Sequence, residues 1–163
     1  MTEFDPKTET LIKIYQDILD QIKYCDTKTG LMIAASGIIF GILFDIYKYL
    51  EISGLTQVLQ LFLIISLTCN TASIFTFIIT VFPRKGSDSD TIFYWGKICK
   101  YELKEFKKII EGIKEEDIKD DLTSQIYYLS NICDEKMNHF KFGTIMLTLS
   151  ILSTGLLYFL IYT

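Results

Sequence analysis

Three stretches of this chain carry no charged side chain: Leu31 to Phe44, Ile52 to Pro83, and Phe142 to Thr163. Few folds accommodate that. A helix needs roughly 20 mostly apolar residues to cross about 30 Å of hydrocarbon, and the second and third stretches meet the requirement unaided. The first is short, but it becomes long enough once the flanks from Thr29 to Tyr49 are added, because Asp45 and Lys48 can extend to the headgroups. Three membrane spans are therefore expected, at residues 29–50, 57–83 and 141–162. The fold class is an all-α integral membrane protein, a single domain whose residues 1–28 and 84–140 form a cytoplasmic helical bundle.

Charged residues make up 22% of a chain that is half hydrophobic, so the charges have to be segregated. Eleven of the sixteen lysines and arginines lie between Arg84 and Lys141, four precede Gly30, and Lys48 stands alone. By the positive-inside rule both charged blocks are cytoplasmic, which leaves a short outer loop near Lys48 to Thr56 and the C-terminus outside. The first 30 residues are charged and periodic, unlike a cleavable signal, so the first span is expected to direct insertion. Cys25, Cys69, Cys99 and Cys133 are too widely spaced for a metal or redox motif.

Asp5-Pro6 reads as a helix start. Leu11, Tyr15, Ile18, Ile22 and Cys25 then recur at steps of four and three, a seam that calls for a helical partner. Gly30 interrupts only mildly, so this amphipathic helix is expected to run into the first span. Pro83 and the polar run to Asp90 end the second span. Thr91 to Gly96 reads as an extended loop, followed by a helix from about Ile98 to Ile110 that stops near Gly112. Ile118, Leu122, Gln125/Ile126, Leu129, Ile132/Cys133, Lys136/Met137 and Phe140 keep a heptad-like seam up to the third span. Residues 117 to 162 should thus form one helix of about 70 Å at 1.5 Å per residue.

Within the spans, Gly30, Ala34, Gly37 and Gly41 share a face that permits close helix approach. The second span carries a polar stripe, Ser66, Asn70, Ser73, Thr76 and Thr80, and the third carries hydroxyls at Thr144, Thr148, Ser150, Ser153 and Thr154. Hydroxyls can bond back to helix carbonyls; Asn70 is harder to place, since an amide near mid-bilayer needs partners from a neighbouring subunit or from water lining a pore. No acid or base lies deep in the membrane, which argues against a proton pump.

No phosphate loop, nucleophile elbow or apolar carboxylate pair is present, and the lone His139 cannot make a metal site, so neither catalysis nor a cofactor is expected. Glu115 to Asp117 and Asp120-Asp121 read as a solvated acidic helix start. What stands out is a polar ring at the inner boundary: Asp26, Lys28, Arg84, Lys85, Lys136, His139 and Lys141. Asp26 should pair with Lys28 or Arg84, and a small anion can compete for such cations.

Tyr24-Cys25-Asp26-Thr27-Lys28-Thr29-Gly30, then Pro83-Arg84, Ile92-Phe93-Tyr94-Trp95-Gly96, and Gln125 to Ile132 leading to Lys136, together resemble the transmembrane effectors of bacterial Pycsar anti-phage systems. The resemblance implies a partner pyrimidine (uridylate) cyclase that makes cyclic UMP or cyclic CMP on infection, and an inner-membrane effector that responds by impairing the bilayer in abortive defence. A cyclic nucleotide would need a cation at its phosphate, met by Arg84, Lys28 or Lys136, with Asp26 beside them. Its base needs a stacking face, Trp95, Phe93, Tyr94 or Tyr127, and edge contacts from Gln125 or Asn131. Gly37, Asn70 and Ser73 are the candidates for helix packing or a pore, and three spans imply a homo-oligomer. Nucleic acid is not an expected partner. The rival readings are a constitutive membrane adaptor with a protein-binding helical bundle and a small channel subunit, although a voltage-sensing arginine ladder and a filter motif are missing.

Overall fold

The computed structural model describes residues 5–53, 56–83, 91–93 and 95–162, apart from the side chains of Ile52, Ser53, Trp95 and Tyr162. Pro6, whose missing N–H costs nothing in a first turn, opens α1 (Pro6–Ser53), which passes Gly30 without a break. Thr56, in an extended conformation, precedes α2 (Gln57–Val81). Phe82 leaves the helix with ψ 130°, because the ring of Pro83 crowds an α-helical residue before it. Then come α3 (Trp95–Ile98), α4 (Leu103–Gly112) and α5 (Glu115–Tyr162). The last is one continuous 48-residue helix, and no strand occurs among the described residues.

Two expectations are corrected. Thr91 to Gly96 is not an extended loop throughout: Ile92 and Phe93 form a turn and Trp95 starts a one-turn helix. The following helix starts at Leu103 and not at Ile98, because Lys100 and Tyr101 donate to the carbonyls of Lys97 and Ile98, tightening the chain before Glu102 turns extended.

The chain divides into two units, Met1–Lys23 with Pro83–Asp134, and Tyr24–Phe82 with Glu135–Thr163. In the first, the expected seams lie on the covered faces: Leu11, Tyr15, Ile18 and Ile22 of α1 and Ile118, Leu122, Ile126, Leu129 and Ile132 of α5 are all half-buried. Lys119 Nζ lies 2.7 Å from Asp5 Oδ2 and 3.2 Å from Glu115. Its hydrogen bond holds the Asp5 carboxyl below the usual range, and the two acids raise the Lys119 ammonium. The Asp5 contribution is thus lost only as pH falls through its lowered pKa, and the Lys119 contribution only as pH rises through its raised one. Lys114 N–H donates to Asp117 Oδ2 at 3.1 Å, closing the acidic start of α5.

The second unit is inverted relative to a water-soluble core. Its exposed residues include Leu31, Ile38, Leu61, Ile64, Phe75, Ile145, Leu152 and Phe159, whereas Ser36, Ser66, Asn70, Ser73, Thr80 and Ser150 are 0% exposed. Lipid is as apolar as leucine, so nothing drives leucine inward there, while polar groups must find partners inside. All three helices are long and apolar enough to cross a membrane, with stretches of mean hydropathy 1.9, 2.0 and 2.0. The protein is an all-α membrane protein. An apolar layer of Leu43, Ile46, Leu50, Leu63 and Leu157 packs near the α1–α2 connection.

Candidate functional site

In the membrane unit the helices are joined by side chains donating to main-chain carbonyls of neighbouring helices. Asn70 Nδ2 donates to Ser36 O at 3.1 Å, Ser73 Oγ to Gly143 O at 3.0 Å, Ser150 Oγ to Ser66 O at 3.0 Å, and Ser153 Oγ to Phe62 O at 3.2 Å. Other hydroxyls, Thr29, Thr76, Thr80, Thr144 and Thr148 among them, bond back within their own helices. Two buried atoms of this layer, Ser66 Oγ and Asn70 Oδ1, one helical turn apart on α2, have no partner among the described residues. An orphaned buried polar atom costs about 1–3 kcal/mol, so this seam is held together while being incompletely satisfied.

Next to Ser73, Gly143 lets α5 approach the ring of Phe77. A Cβ on Gly143 would fall 2.6 Å from Phe77 Cε1. Phe77 is 0% exposed and meets Phe140 with ring centroids 6.0 Å apart.

Beyond this contact lies the ion pair. Lys136 Nζ reaches Asp26 Oδ1 at 2.5 Å, with the lysine side chain 6% exposed and the aspartate 35%. The seam position of Lys136 on α5 is what turns it inward, since Met137 and Phe140 share that face. The described partner of Asp26 is therefore Lys136 and not the expected Lys28, while Arg84, the other expected partner, lies outside the described residues. Lys28 lies on the exposed side of α1, its ammonium 4.2 Å from the Tyr24 ring centre. A positive charge held this far from water by a single described carboxylate is a site where an anion can compete.

In the other unit, Asp121 is 6% exposed and accepts the backbone N–H groups of Ile92 and Phe93, the latter at 3.2 Å, and Gln125 Nε2 at 2.8 Å. It is no solvated acid, in contrast to its exposed neighbour Asp120. Sequence reading missed it, although its place one turn before Gln125 on the α5 seam was a usable signal. Asp121→Ala should strand both amides and destabilise this unit by about 2 kcal/mol, with faster hydrogen exchange at Ile92 and Phe93 than in Asp120→Ala. Equal exchange in both variants would refute the tether.

Comparison with known proteins decides the affiliation. A family model for the Pycsar effector protein domain matches residues 10–163. The chain belongs to the Pycsar effector family. It is 27% identical to the Pycsar effector protein GmPycTM of Gulbenkiania mobilis, over an alignment covering 83% of each chain. No solved structure matches it.

In this Pycsar effector the sequence-derived candidates divide. Asp26 and Lys136 are brought together, Asn70 and Ser73 face neighbouring helices, and Gln125 is engaged by Asp121. Asn131 and Tyr127 are exposed on α5. Gly37 is exposed, and a Cβ added there meets nothing within 4 Å, so the small-residue face of α1 is not used within the described chain. Arg84, Tyr94 and the Trp95 side chain lie outside the described residues.

Proposed function

We propose that this chain is the membrane-impairing arm of an anti-phage system, activated by cyclic UMP or cyclic CMP from a partner pyrimidine cyclase and acting on the inner membrane to cause abortive infection. The family match carries this reading. The N-terminus and residues 84–140 are cytoplasmic, as the lysine and arginine distribution favours, and the C-terminus is outside. Lys136 receives the cyclic phosphate in place of Asp26, with Lys28 adding charge.

Binding acts only by favouring the state in which the Asp26–Lys136 pair is open. With the pair opened and the phosphate seated on Lys136, the bound anion draws α5 away from α1 and α2, a shift that loss of the pair alone does not produce. The polar stripe of α2, from Ser66 to Thr80, then meets water, which satisfies Ser66 Oγ and Asn70 Oδ1. Three helices enclose no wide pore, so several copies assemble, and the unused Ala34, Gly37 and Gly41 face of α1 suits such a contact.

Titration calorimetry on the detergent-solubilised protein tests the ligand. Heat is expected with cyclic UMP or cyclic CMP and not with cyclic AMP or cyclic GMP. No binding, or equal binding of all four, would overturn the assignment.

A further inference from the structure

α4 contains no buried residue, although its sequence, Leu103 to Gly112, is strongly two-sided. Phe106, Ile109 and Ile113 are half-buried against the rest of their unit. Leu103 and Ile110 are not: they stay 70% and 43% exposed. Seven residues apart, these two nearly superpose on the helix wheel and form an apolar edge about 10 Å long. Lys107 and Lys104 follow on the same flank, with Lys108 just beyond. None of the three makes an ion pair among the described residues. Glu111 shares this flank, whereas Glu105 falls on the opposite one. From Lys97 to Lys114 six lysines stand against three glutamates, a positive segment in a chain of net charge −4.

An exposed apolar edge flanked by lysines is what a helix needs to lie in a bilayer interface, its leucine and isoleucine entering the acyl boundary while ammonium groups meet headgroup phosphates. A bilayer is at hand, because α2 is one of the apolar helices long enough to span it. The segment from Phe82 to Glu102 links α2 to α4 along the chain. We propose that α4 is a second membrane-contact element, which docks flat on anionic phospholipid through Leu103, Ile110, Lys104 and Lys107. Such docking fixes one helix of the charged unit to the bilayer surface. It does not depend on the nucleotide reading.

Full-length protein carrying Trp95→Phe and Leu103→Trp has a single tryptophan on the exposed edge. The protein is reconstituted in nanodiscs of phosphatidylcholine alone or mixed with phosphatidylglycerol, with brominated acyl chains as quenchers. Strong quenching is expected in the anionic discs, weaker quenching in the neutral discs, and a loss on adding salt. Adding Lys104→Gln and Lys107→Gln should lower the ratio of docked to undocked helix about fivefold for each lysine removed. Equal quenching in both lipids would overturn the anionic recognition. A water-exposed, unquenched tryptophan would overturn docking altogether. A blue-shifted but unquenched tryptophan would place Leu103 against protein, a partner or a second copy, and would equally refute the proposal.

Discussion

Lys136→Met is expected to lower the apparent affinity for the activating nucleotide by about 10- to 100-fold, the value of a charge-assisted hydrogen bond to phosphate, and so to abolish the growth arrest caused by the cyclase. Methionine keeps the length and apolar stem of the lysine. The Asp26 carboxylate left behind is 35% exposed and can hydrate, so the fold should persist. The reverse deletion is harsher on stability. Asp26→Ala leaves an ammonium that is 6% exposed without its carboxylate, at a cost of about 3 kcal/mol, the low end for a broken buried pair because water already reaches Asp26. The double variant should regain most of that stability and still fail to respond. Thermal melts in detergent and dose–response curves in cells separate the two effects. A Lys136→Met protein whose dose–response stays within about twofold of the parent would show that Lys136 is only structural.

The second large effect is at Gly143. Gly143→Val places methyl groups where even a Cβ would sit 2.6 Å from the Phe77 ring, and that ring, 0% exposed and packed on Phe140, has nowhere to turn. Overpacking of this kind costs about 1–3 kcal/mol and here should sit at the top of the range. Relief comes by pushing α5 off α2, which also breaks the bond from Ser73 to the Gly143 carbonyl. Under the proposed mechanism this mimics the activated arrangement, so induction of Gly143→Val should arrest growth without any cyclase. Phe77→Ala in the same chain makes room and should restore silence. If the glycine variant is stable, inserted and harmless, separation of α2 and α5 is not what injures the membrane.

The three long apolar helices were legible because length and charge segregation report directly on a bilayer, whereas the start of α4 and the existence of α3 were not. Asp5-Pro6, the acidic turn at Glu115 and the two seams were readable from local chemistry alone. The inward stripe from Ser66 to Thr80 was also legible, since a polar face on a span has to turn away from lipid. Pairings across the chain were not. Asp26 and Lys136 are separated by 110 positions, and only the relative rotation of α1 and α5 decides that Lys136, and not the nearby Lys28, closes the pair. Asp120 and Asp121 look alike as letters. They differ by the 100° that one residue turns a helix, enough to send one to water and the other to the amides of Ile92 and Phe93. The aromatic segment expected to be extended instead turns at Ile92 and Phe93, whose amides Asp121 holds, and α3 starts at Trp95. For Gly37 the spacing announced a packing face, but among the described residues nothing meets it.

Release of an entrapped dye from proteoliposomes containing only this protein, on addition of cyclic UMP, cyclic CMP, cyclic AMP or cyclic GMP, tests the central claim most directly. Release with a cyclic pyrimidine nucleotide alone, lost in Lys136→Met, is the predicted result. Vesicles that stay sealed with all four, or leak equally without any, would contradict it.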